Sequence, residues 1–189
     1  MMKYIALVAF LIVTLTACKS SLNSADAAQQ RKELDQIAVK VKQDDFQIVM
    51  NTAYPLTTNA VNSVLNGILI PNGDSANRID LSDRDDYIEL GMDAVKAELS
   101  YYGERRISSG YGNQDNGIEY NGTPVNYRQN IDYEKGKIRI EYQISNQAES
   151  FDVTIEIFSN RNANVNISSS HRANIRYTGK MEQIKELAL

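Results

Sequence analysis

The segments KIRIEYQIS at positions 137–145 and FDVTIEI at 151–157 carry the clearest pattern in the chain, and the polar residues NQAES at 146–150 separate them. In both segments apolar side chains occupy every second position, and polar or charged side chains occupy the positions between. Because successive side chains of a β-strand point to opposite faces of a sheet, this period of two predicts two strands with one buried and one solvated face. The short polar segment predicts an antiparallel connection.

The same alternation continues on both sides of this hairpin. Downstream, Val165 and Ile167 follow a polar turn, and the segment 173–181 alternates again. Upstream, the segment 125–133 alternates. The side chains expected on one side of that upstream strand are Val125, Tyr127, Ile131 and Tyr133. Since consecutive antiparallel strands usually neighbour each other, the sequence predicts a mainly β (α+β) fold whose antiparallel meander forms a sandwich or an open barrel.

One amphipathic helix is expected before the sheet, at residues 25–43. Ser24 suits its N-cap, and Lys40 and Lys42 suit its carboxyl end. Its apolar residues recur with the spacing of one helical face, at Leu34, Ile37, Ala38 and Val41. This stripe predicts a helix packed on the sheet, and a partner-binding helix beside a membrane is the alternative.

Between this helix and the meander the sequence predicts shorter elements. A strand is expected at 46–53, ended near Pro55 because proline lacks the amide donor of a ladder. Residues 93–99 are interpreted as one helical turn or more, and 61–70 fits either a strand or a helix. Asn121-Gly122 predicts a turn. Further short strands are expected at 78–81, 87–92 and 117–120.

Length and charge limit the classes of function. The chain has 189 residues and a formal net charge of −4 with both signs interspersed, which does not fit the basic surface of a nucleic-acid-binding protein. One cysteine and one histidine exclude a zinc site built from several such ligands. We therefore expect a single domain at 25–189 that needs no cofactor.

The first residues have the features of a targeting segment. Lys3 precedes an apolar run at 4–13, which is too short to span a bilayer. The run leads to Leu15-Thr16-Ala17-Cys18, which resembles the bacterial lipobox. This resemblance implies a signal peptide at 1–17, diacylglyceryl attachment at Cys18 and a tether at 18–24. An ordinary secretory signal or a buried cysteine is the alternative. In bacterial lipoproteins an aspartate directly after the cysteine often signals retention in the inner membrane. This chain has Lys19 at that position, which resembles lipoproteins sorted by default to the outer membrane, and we expect the periplasmic face.

The irregular segment 100–116 is the candidate recognition site. Tyrosine and arginine are favoured at binding surfaces because each combines a large contact area with hydrogen bonding. The candidate binding residues are Tyr101, Tyr102, Arg105, Arg106 and Tyr111. In the alternative interpretation the tyrosine rings pack inward and the arginines are only solvated.

Two other polar features predict no catalytic or metal site. Four aspartates lie between predicted short strands but lack the spacing of a calcium-binding EF-hand, so a solvated acidic turn is expected. They are Asp80, Asp83, Asp85 and Asp86. His171, the one histidine, follows three serines in a predicted turn, where we expect a surface side chain and not a general base.

The residues at several positions resemble the sequence pattern of a known family. They are Phe46, Ala53 and Pro55 in the first strand, Tyr87, the segment LSYYGE at 99–104 and the segment GIEYNG at 117–122. Their order resembles the domain-of-unknown-function family of small Bacteroides-group lipoproteins with a Leu-Pro-Tyr-Phe-Gly-Arg type motif, over about Phe46 to Met181. Ser100, Tyr102 and Glu104 depart from that motif. The resemblance implies a fold and an envelope location, and it implies no reaction.

Together these features favour a lipid-anchored binding or structural module over an enzyme. Its expected partners are the membrane, through the anchor, and an envelope protein or glycan. A hydrolase that acts through carboxylates is one alternative, because the spacing of such a pair is spatial and does not appear in a sequence. A lipocalin-like carrier of a small apolar ligand is the other.

Overall fold

The computed structural model describes residues 24–43, 46–56, 75, 77–107 and 117–184. Within these ranges the chain forms one helix and ten strands. They are α1 (Ser24–Lys42), β1 (Phe46–Pro55), β2 (Ile79–Asp80), β3 (Tyr87–Leu90), β4 (Val95–Leu99), β5 (Ile118–Gly122), β6 (Val125–Asp132), β7 (Lys137–Ser145), β8 (Ser150–Phe158), β9 (Asn162–Ser169) and β10 (Ile175–Glu182).

All ten strands belong to one antiparallel sheet. Its order is β5-β4-β3-β1-β10-β9-β8-β7-β6, and the short β2 pairs with β1. The last strand, β10, therefore lies beside the first, and their pairing joins the meander to the rest of the sheet. The sheet curls into an open half-barrel, which confirms the predicted mainly β fold with an antiparallel meander.

Alternating side chains fill the concave interior. Ile138, Ile140, Ile155 and Ile157 are fully buried, and their sequence neighbours point outward. The helix covers part of this core with its apolar stripe, as predicted, since Leu34, Ile37, Ala38 and Val41 are all buried. At the helix surface, the Tyr133 hydroxyl donates to Asp35 Oδ1 at 2.9 Å.

Two local predictions were wrong. Residues 95–99 form strand β4 and not a helical turn, because their alternation of buried and outward side chains lets them pair with β3 and β5. Asn121-Gly122 ends β5, and the connection to β6 follows it at Thr123-Pro124. The first strand ends near Pro55, as predicted, since β1 spans Phe46–Pro55. The segment 61–70, left open between strand and helix, lies outside the described residues.

Strand β6 also departs from the expected alternation. Val125 and Tyr133 were expected to share the side of Tyr127 and Ile131, yet they are 58% and 46% exposed. The pairing of β6 with β7 shifts register between Val125 and Arg128, and Asn126 there has a φ of 54°. This irregularity re-aims Val125 at the start of the strand, whereas Tyr133 lies in the turn that follows β6. Of the four residues, Tyr127 and Ile131 pack against the core.

Candidate functional site

Backbone hydrogen bonds hold the segment that follows β4 against the loop before β10. We call residues 100–107 the rim segment. Its backbone pairs with the loop before β10, since the Arg106 amide donates to the His171 carbonyl at 2.7 Å and the Ala173 amide donates to the Glu104 carbonyl at 2.8 Å. These bonds hold the rim segment in place although it belongs to no long strand.

A buried ion pair lies under the rim segment. Arg172 Nη2 lies 2.6 Å from Glu149 Oε1, and the two side chains are only 6% and 5% exposed. Arg172 Nε also donates to that carboxylate at 2.8 Å, and the Ser169 hydroxyl donates to its other oxygen at 2.6 Å. Burial raises the pKa of Glu149, but the hydrogen bonds from Arg172 and Ser169 and the nearby positive charges outweigh it, so that its pKa lies below the ordinary value.

Tyr101 supports this pair from the rim segment. Its ring is buried, and the Arg172 guanidinium lies 5.0 Å from the ring centre. Its hydroxyl lies 2.9 Å from the carbonyl oxygens of both Glu104 and Ala173. Burial raises the pKa of Tyr101 to about 12, so the hydroxyl keeps its proton to donate. A Cβ at Gly103 would overlap that hydroxyl, which is the physical reason for a glycine two residues after this tyrosine.

The other candidate binding residues differ in exposure. Tyr102 is half-buried, and the Arg84 guanidinium lies 5.6 Å from its ring centre. Arg105 is half-buried and pairs with Arg172 through its backbone, whereas Arg106 is exposed. Tyr111 lies outside the described residues. The structure thus brings four of the five residues together on one segment, and their role in binding stays a prediction.

Two adjoining clefts flank the rim segment. The first, of about 490 Å³, is called the Asp86 cleft, and its lining includes Arg84, Asp85, Asp86, Ser100, Tyr101 and Tyr102. The second, of about 810 Å³, is called the Arg105 cleft, and its lining includes Lys96, Arg105, Asn121, Asn146, Gln147 and Glu149. Glu98, Gly117 and Glu119 line both, so the clefts share a wall at β4 and β5.

The Asp86 cleft contains a buried residue that sequence analysis missed. Asp86 is 4% exposed, so the expectation that all four aspartates form a solvated turn was wrong for this one. Its Oδ1 accepts a hydrogen bond from the Ser100 amide, and its carbonyl accepts one from the Met50 amide at 2.8 Å. Its Oδ2 has no hydrogen-bond partner among the described residues. The sequence carried no signal that separates Asp86 from its acidic neighbours.

The remaining polar residues singled out in the sequence lie in turns and loops or, for Asp80, at the end of β2. Asp80 and Asp83 are exposed, and Asp80 Oδ1 accepts from the Ser82 amide at 2.9 Å. Across the described part of the chain, no group of three or more His, Cys, Asp or Glu side chains could hold a metal ion. His171 is half-buried in a loop, with Nδ1 2.8 Å from the neighbouring Ser170 Oγ.

A family model described as a domain of unknown function, DUF4251, matches residues 28–181. The chain belongs to the DUF4251 family. This confirms the resemblance drawn from the sequence. The DUF4251 chain is also similar to the crystal structure of a DUF4251 family protein from Bacteroides eggerthii DSM 20697, with 12% identity and a TM-score of 0.54. The match covers 83% of this chain and 91% of that chain, and at this identity it shows the shared fold alone.

No curated protein matches the sequence of this DUF4251 chain. Within the described ranges, no helix has both the length and the apolar character that crossing a membrane requires.

Proposed function

We propose that this DUF4251 protein is a non-catalytic, lipid-anchored binding module on the periplasmic face of the outer membrane, and that it captures an envelope protein through the rim segment. One observation carries this proposal. The buried Glu149–Arg172 pair and the backbone bonds above it hold the rim segment rigidly, while Arg106 and Ile107 remain exposed on it.

Rigidity matters because ordering a loop on binding costs free energy, and a segment that is already ordered avoids that cost. Arg106 offers a planar group with several hydrogen-bond donors, and Ile107, at 51% exposed, offers an apolar contact beside it. A side chain of each kind on a fixed loop is a common composition of a recognition surface. The Arg105 cleft next to them adds side-chain amide groups from Asn121 and Gln147.

The predicted anchor is compatible with this placement. If Cys18 carries the lipid, the six residues 18–23 link it to Ser24, where α1 begins. A fully extended chain spans about 3.3–3.6 Å per residue, so the tether can reach at most roughly 20 Å. The domain would then work close to the bilayer surface, where its partners would be other envelope components.

The two alternatives receive less support. A lipocalin-like carrier needs a hollow interior, whereas the described inward side chains of the half-barrel, such as Ile140, Ile155 and Val165, are fully buried against one another. A carboxylate hydrolase needs one carboxyl group that keeps its proton near neutral pH. In the Asp86 cleft, the hydrogen bond from Lys96 lowers the pKa of Glu98, so Glu98 does not meet that need.

Site-specific photocrosslinking in the native envelope tests the proposal. A photoreactive benzoylphenylalanine replaces Ile107 in the full-length chain, so that Arg106 stays in place, and a matched protein carries it at Val39, an exposed apolar residue of α1. We expect discrete protein adducts from position 107 that position 39 does not give. The same adducts from both positions, or none from position 107, would overturn the proposal.

A further inference from the structure

We propose that the Asp86 cleft binds the side-chain ammonium of a lysine carried by the protein partner. The inference rests on the proposed function, because it names the chemistry that the same site would take. It starts from a buried carboxylate, since a charge removed from water is costly unless it is paired and hydrogen-bonded.

Asp86 has the unused capacity that such a ligand would fill. Its side chain lines the cleft while only 4% of the residue is exposed. The Ser100 amide occupies Oδ1, and Oδ2 has no hydrogen-bond partner among the described residues. An ionised carboxylate offers about four acceptor positions, so Oδ2 can accept another donor without displacing Ser100. Because Oδ2 is buried, the side chains that line the cleft must shift to admit that donor.

A second buried polar atom lies in the lining of the same cleft. The Tyr102 hydroxyl is buried and has no hydrogen-bond partner in the described part of the chain. A phenol oxygen can accept a hydrogen bond, and an ammonium group has three donors to share. An ammonium bound to Asp86 Oδ2 therefore keeps donors for a second acceptor in the same lining, such as the Tyr102 oxygen.

The charge of the lining favours a cation. Asp85, Glu98 and Glu119 line the cleft with Asp86, and the one lining cation among the described residues is Arg84. Lys96, outside the lining, pairs with Glu98 at 2.8 Å, so the negative charge in excess comes from the three other carboxylates. The Arg84 guanidinium is already placed over the Tyr102 ring, at 5.6 Å from its centre. A metal ion is a poorer fit, because no group of three potential ligands forms within the described ranges.

Lysine fits better than arginine for a geometric reason. Guanidinium groups bind carboxylates most strongly through two parallel bonds to both oxygens, but Oδ1 of Asp86 already holds the Ser100 amide. An ammonium is a compact point charge that needs only the remaining oxygen. The apolar stem of a lysine could lie along Leu99 and Tyr101, which also line the cleft.

The neighbouring segment of the chain itself cannot supply this cation. Residues 108–116, which follow the rim segment, read SSGYGNQDN and contain neither lysine nor arginine. A cation at Asp86 would therefore not come from this connection to β5, which agrees with a ligand from a partner.

Amide-resolved NMR titration of the full-length protein tests the inference. The probe is Nα-acetyl-lysine methylamide, and its Nε-acetylated form is the uncharged control. We expect the charged probe to shift the amide resonances of Ser100 and Tyr102 saturably, and the acetylated form to leave them unchanged. The corresponding arginine probe should bind more weakly, and glucosamine should not bind. Equal shifts from the charged and acetylated probes, tighter binding of arginine or glucosamine, or no saturable shift would overturn the inference.

Variants locate the contact. Asp86→Asn should weaken lysine-probe binding at least about tenfold. Asp83→Asn is the matched control, because it removes the same charge from an exposed position outside the cleft lining. The control should change the affinity for the lysine probe less than about twofold. Tyr102→Phe, which keeps the ring, should weaken binding by a smaller factor and provides the test if Asp86→Asn does not fold. Unchanged binding in Tyr102→Phe and in a folded Asp86→Asn would refute the assignment.

The two proposals can fail separately. Crosslinking from position 107 without lysine-probe binding would overturn the cation site and leave the binding module. Lysine-probe binding without position-107 adducts would support the cation site and overturn the rim segment as the recognition surface.

Discussion

Glu149 contributes to stability only while its carboxylate is paired with Arg172. Both side chains are buried, and removing one member of such a pair leaves the other charge without compensation. The pair also contacts Tyr101, because the Arg172 guanidinium packs against the face of that ring. A single residue at this position therefore affects the whole rim segment.

Glu149→Gln should lower the free energy of unfolding by about 3–5 kcal/mol, because it leaves the Arg172 charge buried and unpaired. Glu141→Gln is the matched control, since Glu141 pairs with Arg139 at 2.8 Å where both side chains are more than 40% exposed. The control should cost less than about 1 kcal/mol. Urea unfolding at neutral pH measures both, and equal losses would contradict a buried pair.

The same residue predicts a pH dependence. The folded-state pKa of Glu149 lies below its ordinary value of 4.5, so the pair contributes its stability above about that pH. As the pH falls through the folded-state pKa, the carboxylate becomes protonated and the contribution is lost. The difference in unfolding free energy between wild type and Glu149→Gln should therefore shrink below about pH 4.5. A difference that grows on acidification would contradict this sign.

At the scale of elements, the pairing of β1 with β10 depends on a glycine. The register of these strands shifts between Met50 and Thr52, and Gly179 of β10 lies opposite Met50. A Cβ at position 179 would overlap the Val49 carbonyl oxygen, which is backbone and cannot rotate away. The irregularity in β1 thus requires a residue without a side chain on its neighbour.

Gly179→Ala should lower the unfolding free energy by roughly 1–3 kcal/mol, because one of the two strands must move. Gly122→Ala is the matched control, since it also lies in a strand and no atom lies within 4 Å of its Cβ position. The control should change stability by less than about 1 kcal/mol. Thermal or urea unfolding of both variants measures the contrast, and a neutral Gly179→Ala would show that β1 and β10 are farther apart.

At the scale of the whole molecule, the curl of the sheet brings β5 and β7 together across the core. The buried hydroxyls of Tyr120 and Tyr142 lie 2.8 Å apart, and the Asn146 side chain donates to the Glu119 carbonyl at 2.9 Å. Burial raises the pKa of both phenols, so both stay protonated. These contacts link strands that are not neighbours in the sheet.

A double-mutant cycle tests this link. Tyr120→Phe alone or Tyr142→Phe alone should each cost about 1–3 kcal/mol, because each leaves one buried hydroxyl without its partner. The double variant removes both hydroxyls and should cost clearly less than the sum of the two. Urea unfolding of the four proteins measures the coupling. Strict additivity would mean that the two hydroxyls do not interact.

The predicted anchor is also a property of the whole molecule, because it places the domain in the envelope. Cys18→Ala should abolish lipid attachment, and the protein should no longer fractionate with the outer membrane, while Lys19→Ala should stay lipidated. Mass spectrometry of the N-terminal peptide and fractionation check both. A Cys18→Ala protein that still carries a lipid mass would refute the lipobox interpretation.

The sequence alone determined the strands of the meander, because a period of two over 137–145 and 151–157 is local and depends only on side-chain polarity. It also determined the helix, through the spacing of Leu34, Ile37 and Val41. It failed at 95–99, where five residues are too few for periodicity to distinguish a strand from a helical turn.

Only the tertiary structure decided the site. Arg172 and Glu149 are 23 residues apart, and Asp86 meets the Ser100 amide across 14 residues, so no short spacing marks either contact. The first contact arises because β8 pairs with β9, and the second because β3 pairs with β4. The β1–β10 pairing then joins these two hairpins in one sheet, so that the rim segment reaches the loop before β10. In the sequence, Asp86 cannot be distinguished from its exposed acidic neighbours. It differs from them in being buried, and burial depends on the packing of distant elements.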